Sequence, residues 1–207
     1  MLLNGEKEGR NKLVEYGKKL LETGLVQGTW GNLSIRLDDQ YMIVSPSGID
    51  YERITPEDIV KVDINTLEFE GALKPTSEKS LHAGVYAVRP DVNAVIHTHS
   101  KYCSIFAACH MPLQVEDPEV MERIGEIINI SEYGFPGTSQ LTEHTLKALS
   151  SACGCIMANH GMLCCGTDIE DAFEICGLIE RAAESYIDKR WDVNHDGINN
   201  PGSTGQG

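Results

Sequence analysis

Three histidines and one glutamate carry the residue types and spacing that metal-ion chemistry needs. His97-Thr98-His99 closes the apolar run Ala94-Val95-Ile96. That run is short and β-branched and follows Arg89-Pro90-Asp91, so residues 93–98 read as a buried strand. Residues i and i+2 of a strand share a face, and the two imidazoles project side by side. This suits two ligands of one ion; ordinary hydrogen bonding of two core histidines is the alternative. His160 likewise ends a buried strand, in Asn159-His160-Gly161, and polar residues at strand ends line clefts in α/β proteins. Glu78 falls in the first turn of a helix introduced by Lys74-Pro75-Thr76-Ser77. It could compensate the helix dipole there, pair with His82 four residues on, or serve as a fourth ligand. Three imidazoles with one carboxylate favour zinc, with manganese or iron as the alternative.

A second set of residues suits an anion. Gly24-Leu25-Val26-Gln27-Gly28-Thr29-Trp30-Gly31-Asn32 holds three glycines. Such a stretch either brings backbone N–H groups to an anion or makes a tight turn from helix to strand. Ser45-Pro46-Ser47-Gly48 is another small hydroxyl-and-glycine turn, and Thr76 or Ser77 can cap the helix that follows. The free amides of a helix first turn, aided by the macrodipole, form a natural anion site.

The elements that must position these residues can be read in order. Residues 6–23 place Leu13, Tyr16, Leu20 and Leu21 at helical spacing and stop at Gly24. Leu33–Leu37 and Tyr41–Ser45 form a hairpin around Asp38-Asp39-Gln40. Thr55-Pro56-Glu57-Asp58 opens a helix, and a strand pair of Val60–Val62 with Leu67–Glu70 follows. The helix after Lys74 runs to about Ala87, and further helices are expected over 100–109 and 118–128. Two more start at Ser139 or Thr142, ending near Ser150, and at Thr167-Asp168, ending near Trp191. Gly154–Ala158 and Met162–Cys165 are strands. The expectation is a single domain over residues 1–193 with a disordered tail from Asn194, which has no apolar residue after Ile198.

Composition narrows the function. The chain has 207 residues, 41% hydrophobic and 23% charged, ordinary values for a globular protein. A net charge of −14 repels nucleic acid and anionic membranes, so an anionic substrate must be caught by local donors. No run of 18 apolar residues occurs, and the opening residues lack the basic start and apolar stretch of a secretory signal. A cytosolic protein is expected. The seven cysteines include no Cys-x-x-Cys pair and are expected to be reduced.

Gly-Thr-Trp-Gly-Asn at 28–32, Ser-Pro-Ser-Gly at 45–48, Pro-Thr-Ser-Glu at 75–78, His-Thr-His at 97–99 and Asn-His-Gly at 159–161 resemble the successive motifs of one family. It is the class II sugar-phosphate aldolases, typified by the L-fuculose-1-phosphate aldolases, within the aldolase/adducin superfamily. The resemblance spans about residues 8–190. It implies a three-layer α/β fold with a largely antiparallel central sheet, and a homotetramer with sites at subunit interfaces. Zinc ligands would be His97, His99 and His160, joined in the resting enzyme by Glu78, which becomes the base when substrate displaces it. Gly31, Asn32, Ser47, Gly48, Thr76 and Ser77 match the residues that surround the substrate phosphate. The implied reaction is zinc-assisted retro-aldol cleavage of a ketose 1-phosphate to dihydroxyacetone phosphate and an aldehyde. The chain departs from the pattern in two places. No tyrosine follows Met111-Pro112, where Gln114-Val115-Glu116-Asp117 stands, and no aromatic follows Trp191; Tyr133 lies in a nearby loop. Related epimerases carry aspartate at the position of Glu78, and other relatives run decarboxylations or dehydrations with the same metal chemistry. A non-catalytic adducin-like scaffold need not keep the four ligands that stand here. A zinc hydrolase would have no evident use for the phosphate-type loops.

Overall fold

A computed structural model of the chain describes residues 2–198, and the side chains of 5–190. Helix α1 (Leu2–Glu22) leads into a hairpin of β1 (Asn32–Arg36) and β2 (Tyr41–Val44), then β3 (Val60–Asp63). Next come α2 (Lys79–Val88), β4 (Ala94–Thr98) and α3 (Lys101–Cys109). The short strands β5 (Leu113–Gln114), β6 (Ile127–Ile128) and β7 (Ile130–Ser131) flank α4 (Pro118–Ile124). The chain finishes with α5 (Ser139–Leu149), β8 (Gly154–Met157), β9 (Gly161–Gly166) and α6 (Ile169–Ile198).

Seven strands form one sheet in the order β3-β2-β1-β4-β9-β8-β7. Every pairing is antiparallel except β7 with β8. Strand alternation divides the core in two. Leu33, Ile43, Ala94, Ile96, Ile156, Met162 and Cys164 meet α1, α3 and α6 on one face. Their neighbours Met42, Val44, Val95, Cys155, Met157, Leu163 and Cys165 meet α2 and α5 on the other. The fold is therefore the expected three-layer α/β arrangement with a largely antiparallel central sheet. Both faces of β4 are covered and all five of its residues are buried, which is why its sequence reads as a continuous apolar run rather than an alternating one.

Four local expectations change. The turn at Thr55 makes only a 3-10 segment, Pro56–Asp58. Of the expected partner strand over 67–70, only an isolated bridge from Phe69 to Val62 forms. The helix expected over 118–128 stops at Ile124, because Gly125 takes φ +90° and Ile127–Ile128 pair with Leu113–Gln114. Helix α6 passes Trp191 and Asn194 and reaches Ile198; the rest of the expected tail, 199–207, lies outside the described residues.

Two features hold the ends of β4 and β9 in place. Ser100 at the start of α3 is gripped by Glu180 of α6, whose carboxylate accepts from the Ser100 hydroxyl (2.7 Å) and from the amides of Tyr102 (2.7 Å) and Cys103 (3.0 Å). A carboxylate at a helix N-terminus satisfies orphan amides and opposes the dipole, and here it anchors the chain next to His99. Gly161, at the start of β9, lies where a Cβ would fall 2.2 Å from the Thr98 carbonyl oxygen and 3.3 Å from His97 Cε1. Gly161→Ala should therefore prise β9 from β4, costing about 1–3 kcal/mol or more. Urea unfolding and zinc titration should show lower stability and weaker metal binding together; an unchanged midpoint would contradict this packing.

Candidate metal centre

Strand β4 places His97 on the α2 face of the sheet, shared with Val95, and His99 follows just beyond the strand end. The turn between β8 and β9 brings His160 across from them. Nε2 of His97 lies 2.8 Å from Nε2 of His99, and one ligand nitrogen from each of the three rings lies within 4.8 Å of the others. The rings stand edge to face, with centroids 4.7 to 5.1 Å apart. Glu78 sits at the N-cap of α2 with Oε1 3.0 Å from His160 Nε2 and Oε2 3.4 Å from His97 Nε2. All four residues matched to the metal are thus brought together.

The chemistry of these donors fits a cation. His97 Nδ1 is 2.9 Å from the Met162 carbonyl oxygen; a carbonyl only accepts, so Nδ1 carries the proton and Nε2 turns its lone pair inward. Glu78 Oε1 is buried without a hydrogen bond of good geometry. Lone pairs converging in a buried space are costly unless a cation lies among them. Burial pushes the His97 imidazole down to about 4 and lowers His99 as well, so both stand ready as neutral ligands at pH 7. Burial pushes the Glu78 carboxyl up, but the facing His97 and His160 and the Asn32 amide outweigh it and hold Glu78 well below the usual carboxylate range.

The residues matched to a phosphate lie on three chain segments laced together. Ser45 and Leu33 exchange bonds, with the Ser45 amide donating to the Leu33 carbonyl (3.0 Å) and the Leu33 amide to Ser45 Oγ (3.2 Å). The Thr76 amide donates to the Ser45 carbonyl (3.0 Å) and the Ser47 amide to the Lys74 carbonyl (2.9 Å). Ser47, Gly48 and Ser77 are exposed, Gly31 is half-buried, and Asn32 and Thr76 are buried. Gly31 takes φ +87° and a Cβ there would fall 2.7 Å from the His97 carbonyl oxygen, so only glycine brings this loop so close to β4. The Asn32 side chain is engaged within the protein: its amide nitrogen donates to Glu78 Oε2 (3.0 Å) and its oxygen meets His82 Nε2 (2.5 Å). The Thr76 hydroxyl accepts from the Glu78 amide (3.2 Å).

Reading the motifs alone missed several contributors. Tyr51 is buried and donates to the Gly31 carbonyl (3.1 Å), and its only sequence signal was a tyrosine in a polar turn. Trp30, 62% exposed, leans on the His99 ring at 5.8 Å between centroids. His82 does not pair with Glu78 directly; Asn32 stands between them. Burial pushes His82 down to about 3 from the ordinary 6.5. The unfolded chain therefore takes up a proton that the folded one refuses as pH falls from 6.5 towards 3, and stability falls over that window by about 1.4 kcal/mol per pH unit per proton. His82→Gln, which cannot titrate, should lose one proton's worth of that slope in urea unfolding at pH 7, 6 and 5. Equal slopes would contradict a neutral His82.

Residues 11–187 match the family model described as Class II Aldolase and Adducin N-terminal domain. The chain belongs to this family. Among its relatives, the 5-deoxy-D-ribulose 1-phosphate aldolase of Bacillus thuringiensis is 36% identical over 190 residues, covering 90% of this chain and 86% of the relative. The 5-methylthioribulose-1-phosphate/5-deoxyribulose-1-phosphate aldolase of Rhodospirillum rubrum is 34% identical over 177 residues, covering 86% and 79%. A solved L-fuculose 1-phosphate aldolase superposes with a TM-score of 0.83 at 34% identity, covering 94% of this chain and 89% of that one. Class II aldolases are metal-dependent carbon–carbon lyases, and His97, His99 and His160 form the group suited to a metal among the described residues.

Proposed function

We propose that this class II aldolase cleaves a ketose 1-phosphate to dihydroxyacetone phosphate and an aldehyde, with zinc held by His97, His99, His160 and, at rest, Glu78. The observation that carries the proposal is a carboxylate with one buried oxygen lacking a hydrogen bond of good geometry, set against three converging imidazoles. The metal, when bound, supplies Lewis-acid stabilisation of the negative charge that develops on the substrate's carbonyl oxygen.

The protein's own groups do the rest. Ser47, Gly48, Thr76 and Ser77 offer neutral hydroxyls and backbone N–H groups to the phosphate, beside the Gly31-Asn32 turn whose Asn32 side chain is kept by Glu78 and His82, which lets a chain of net charge −14 hold an anion. Cleavage breaks the C3–C4 bond and leaves its electron pair on the ketone fragment, while the C4 hydroxyl loses a proton and becomes the aldehyde. The C4 hydroxyl proton leaves to solvent, and Glu78, a carboxylate at rest, takes a proton from solvent and gives it to C3, which completes dihydroxyacetone phosphate; in the synthetic direction it removes that proton again. The assembly is a homotetramer with its sites at subunit interfaces, supported by the exposure of Trp30 and Phe135 (62% and 66%). Seven free cysteines support a reducing, cytosolic location.

The relatives act on ketose 1-phosphates that differ beyond C4, so the test is a panel: 5-deoxyribulose, 5-methylthioribulose and fuculose 1-phosphates. Zinc-loaded protein should release dihydroxyacetone phosphate from at least one, and the best substrate names the aldehyde. No release from any, with zinc bound, would overturn the aldolase reading in favour of decarboxylation or dehydration of a related sugar phosphate.

A further inference from the structure

Glu78 is the visible end of a buried polar chain. Along α2, Glu78, His82 and Tyr86 recur every fourth residue and share one helical face; opposite them, Asn32 and Ser34 of β1 share one face of the sheet. The five side chains interleave in the order Glu78, Asn32, His82, Ser34, Tyr86. Contacts run 3.0 Å from Asn32 Nδ2 to Glu78 Oε2, 2.5 Å from Asn32 Oδ1 to His82 Nε2, 2.6 Å from His82 Nδ1 to Ser34 Oγ and 2.7 Å from Ser34 Oγ to the Tyr86 hydroxyl. All five are buried, His82 and Ser34 completely.

Hydrogen-bond valence fixes the direction of every link. The ionised carboxylate only accepts, so Asn32 must turn its NH2 group to Glu78 and its oxygen to His82. That oxygen also only accepts, which obliges His82 Nε2 to donate. A neutral imidazole then has a bare Nδ1, which takes the Ser34 hydroxyl proton, and Ser34 in turn accepts from Tyr86. Each bond points towards Glu78, an arrangement in which successive bonds strengthen one another. The Arg36 guanidinium, 4.8 Å from the centre of the Tyr86 ring, closes the far end.

The chain treats the two oxygens of Glu78 differently. Oε2 is held by Asn32, whereas Oε1 has no hydrogen bond of good geometry and lies 3.0 Å from His160 Nε2. We propose that His82 is a positioning residue: through its Nε2–H it locks the Asn32 amide, so that Oε2 is tethered and Oε1 is the oxygen that meets the metal or the substrate proton. Ser34 and Tyr86 select the His82 tautomer that makes this possible. The inference rests on the reading of Glu78 as ligand and base.

The test compares His82→Leu, which removes the donor, with His82→Gln, whose amide nitrogen reaches the position of Nε2, and with Glu78→Gln. Zinc affinity is read by competition with a chromophoric chelator, and kcat and KM are read on the cleaved substrate. His82→Leu should lose about 10–100-fold in kcat and about tenfold or more in zinc affinity, with KM unchanged, and His82→Gln should recover most of both losses. Wild-type behaviour in His82→Leu, or equal losses in the two variants, would overturn the inference. Should wild-type protein cleave none of the substrates, the aldolase reading falls and the zinc affinities still decide the role of His82. Should Glu78→Gln bind zinc as tightly as wild type, the ligand role of Glu78 falls and the inference with it. If His82→Leu does not fold, imidazole nitrogen NMR of zinc-loaded wild type decides: a protonated Nε2 and a bare Nδ1 on His82 support the chain of bonds, and the opposite tautomer overturns it.

Discussion

Glu78→Gln should fold and still bind metal through three imidazoles, yet lose about 10²–10⁴-fold in kcat, the usual contribution of a positioned general base. The substitution keeps the shape of the side chain, and its amide can offer an oxygen to Asn32 in place of the tethered Oε2. What disappears is the basicity that exchanges a proton with the carbon of the ketone fragment. The residues matched to the phosphate meet Glu78 at the Asn32 amide and the Thr76 hydroxyl, and glutamine can keep both contacts, so KM should change little. A fall in KM-weighted binding with kcat intact would assign Glu78 to substrate holding instead. Kinetics on the best substrate of the ketose 1-phosphate panel separate the two outcomes.

His97→Ala should be as severe for a different reason. His97 is fully buried, it faces both other histidines, and the Met162 carbonyl holds its ring in the one orientation that turns Nε2 inward. Removing it leaves two imidazoles and a carboxylate that was aligned partly by His97 itself. Metal content after dialysis should drop to a small fraction of wild type, and activity should match that of wild-type protein stripped with a chelator. Removing a buried ring also costs core packing, about 2–5 kcal/mol by analogy with other large-to-small changes, so added zinc should restore neither activity nor full stability. Retention of a full equivalent of zinc would show that His97 is not a ligand.

The parts of this site that follow local rules were legible in the sequence. His97 and His99 lie on a recognisable strand end, His160 beside a glycine after another, and Glu78 at a helix start announced by proline and hydroxyls. The resemblance to the class II aldolases joined these positions and is borne out by the family match and the fold. Long-range pairings were not legible. His82 looked like a helical partner of Glu78, and nothing local says that an asparagine 46 residues before Glu78 stands between them. Glu180 looked like one more charge on an amphipathic helix, although it caps α3 from a distance of 77 to 80 residues along the chain. The over-long helix at 118–128 failed for a similar reason. Its apolar Ile127 and Ile128 fit a helical period as well as a strand, and only their pairing with Leu113 and Gln114 chooses the strand.

The central claim is that Glu78 and the three-histidine centre together exchange a proton at a carbon next to a carbonyl. It can be tested without knowing the aldehyde. Dihydroxyacetone phosphate incubated in D2O with zinc-loaded protein should lose one of its two hydroxymethyl hydrogens to deuterium, followed by proton NMR, and the exchange should stop in Glu78→Gln and in chelator-treated protein. Zinc-loaded wild type that binds dihydroxyacetone phosphate and leaves both hydrogens in place would contradict the account.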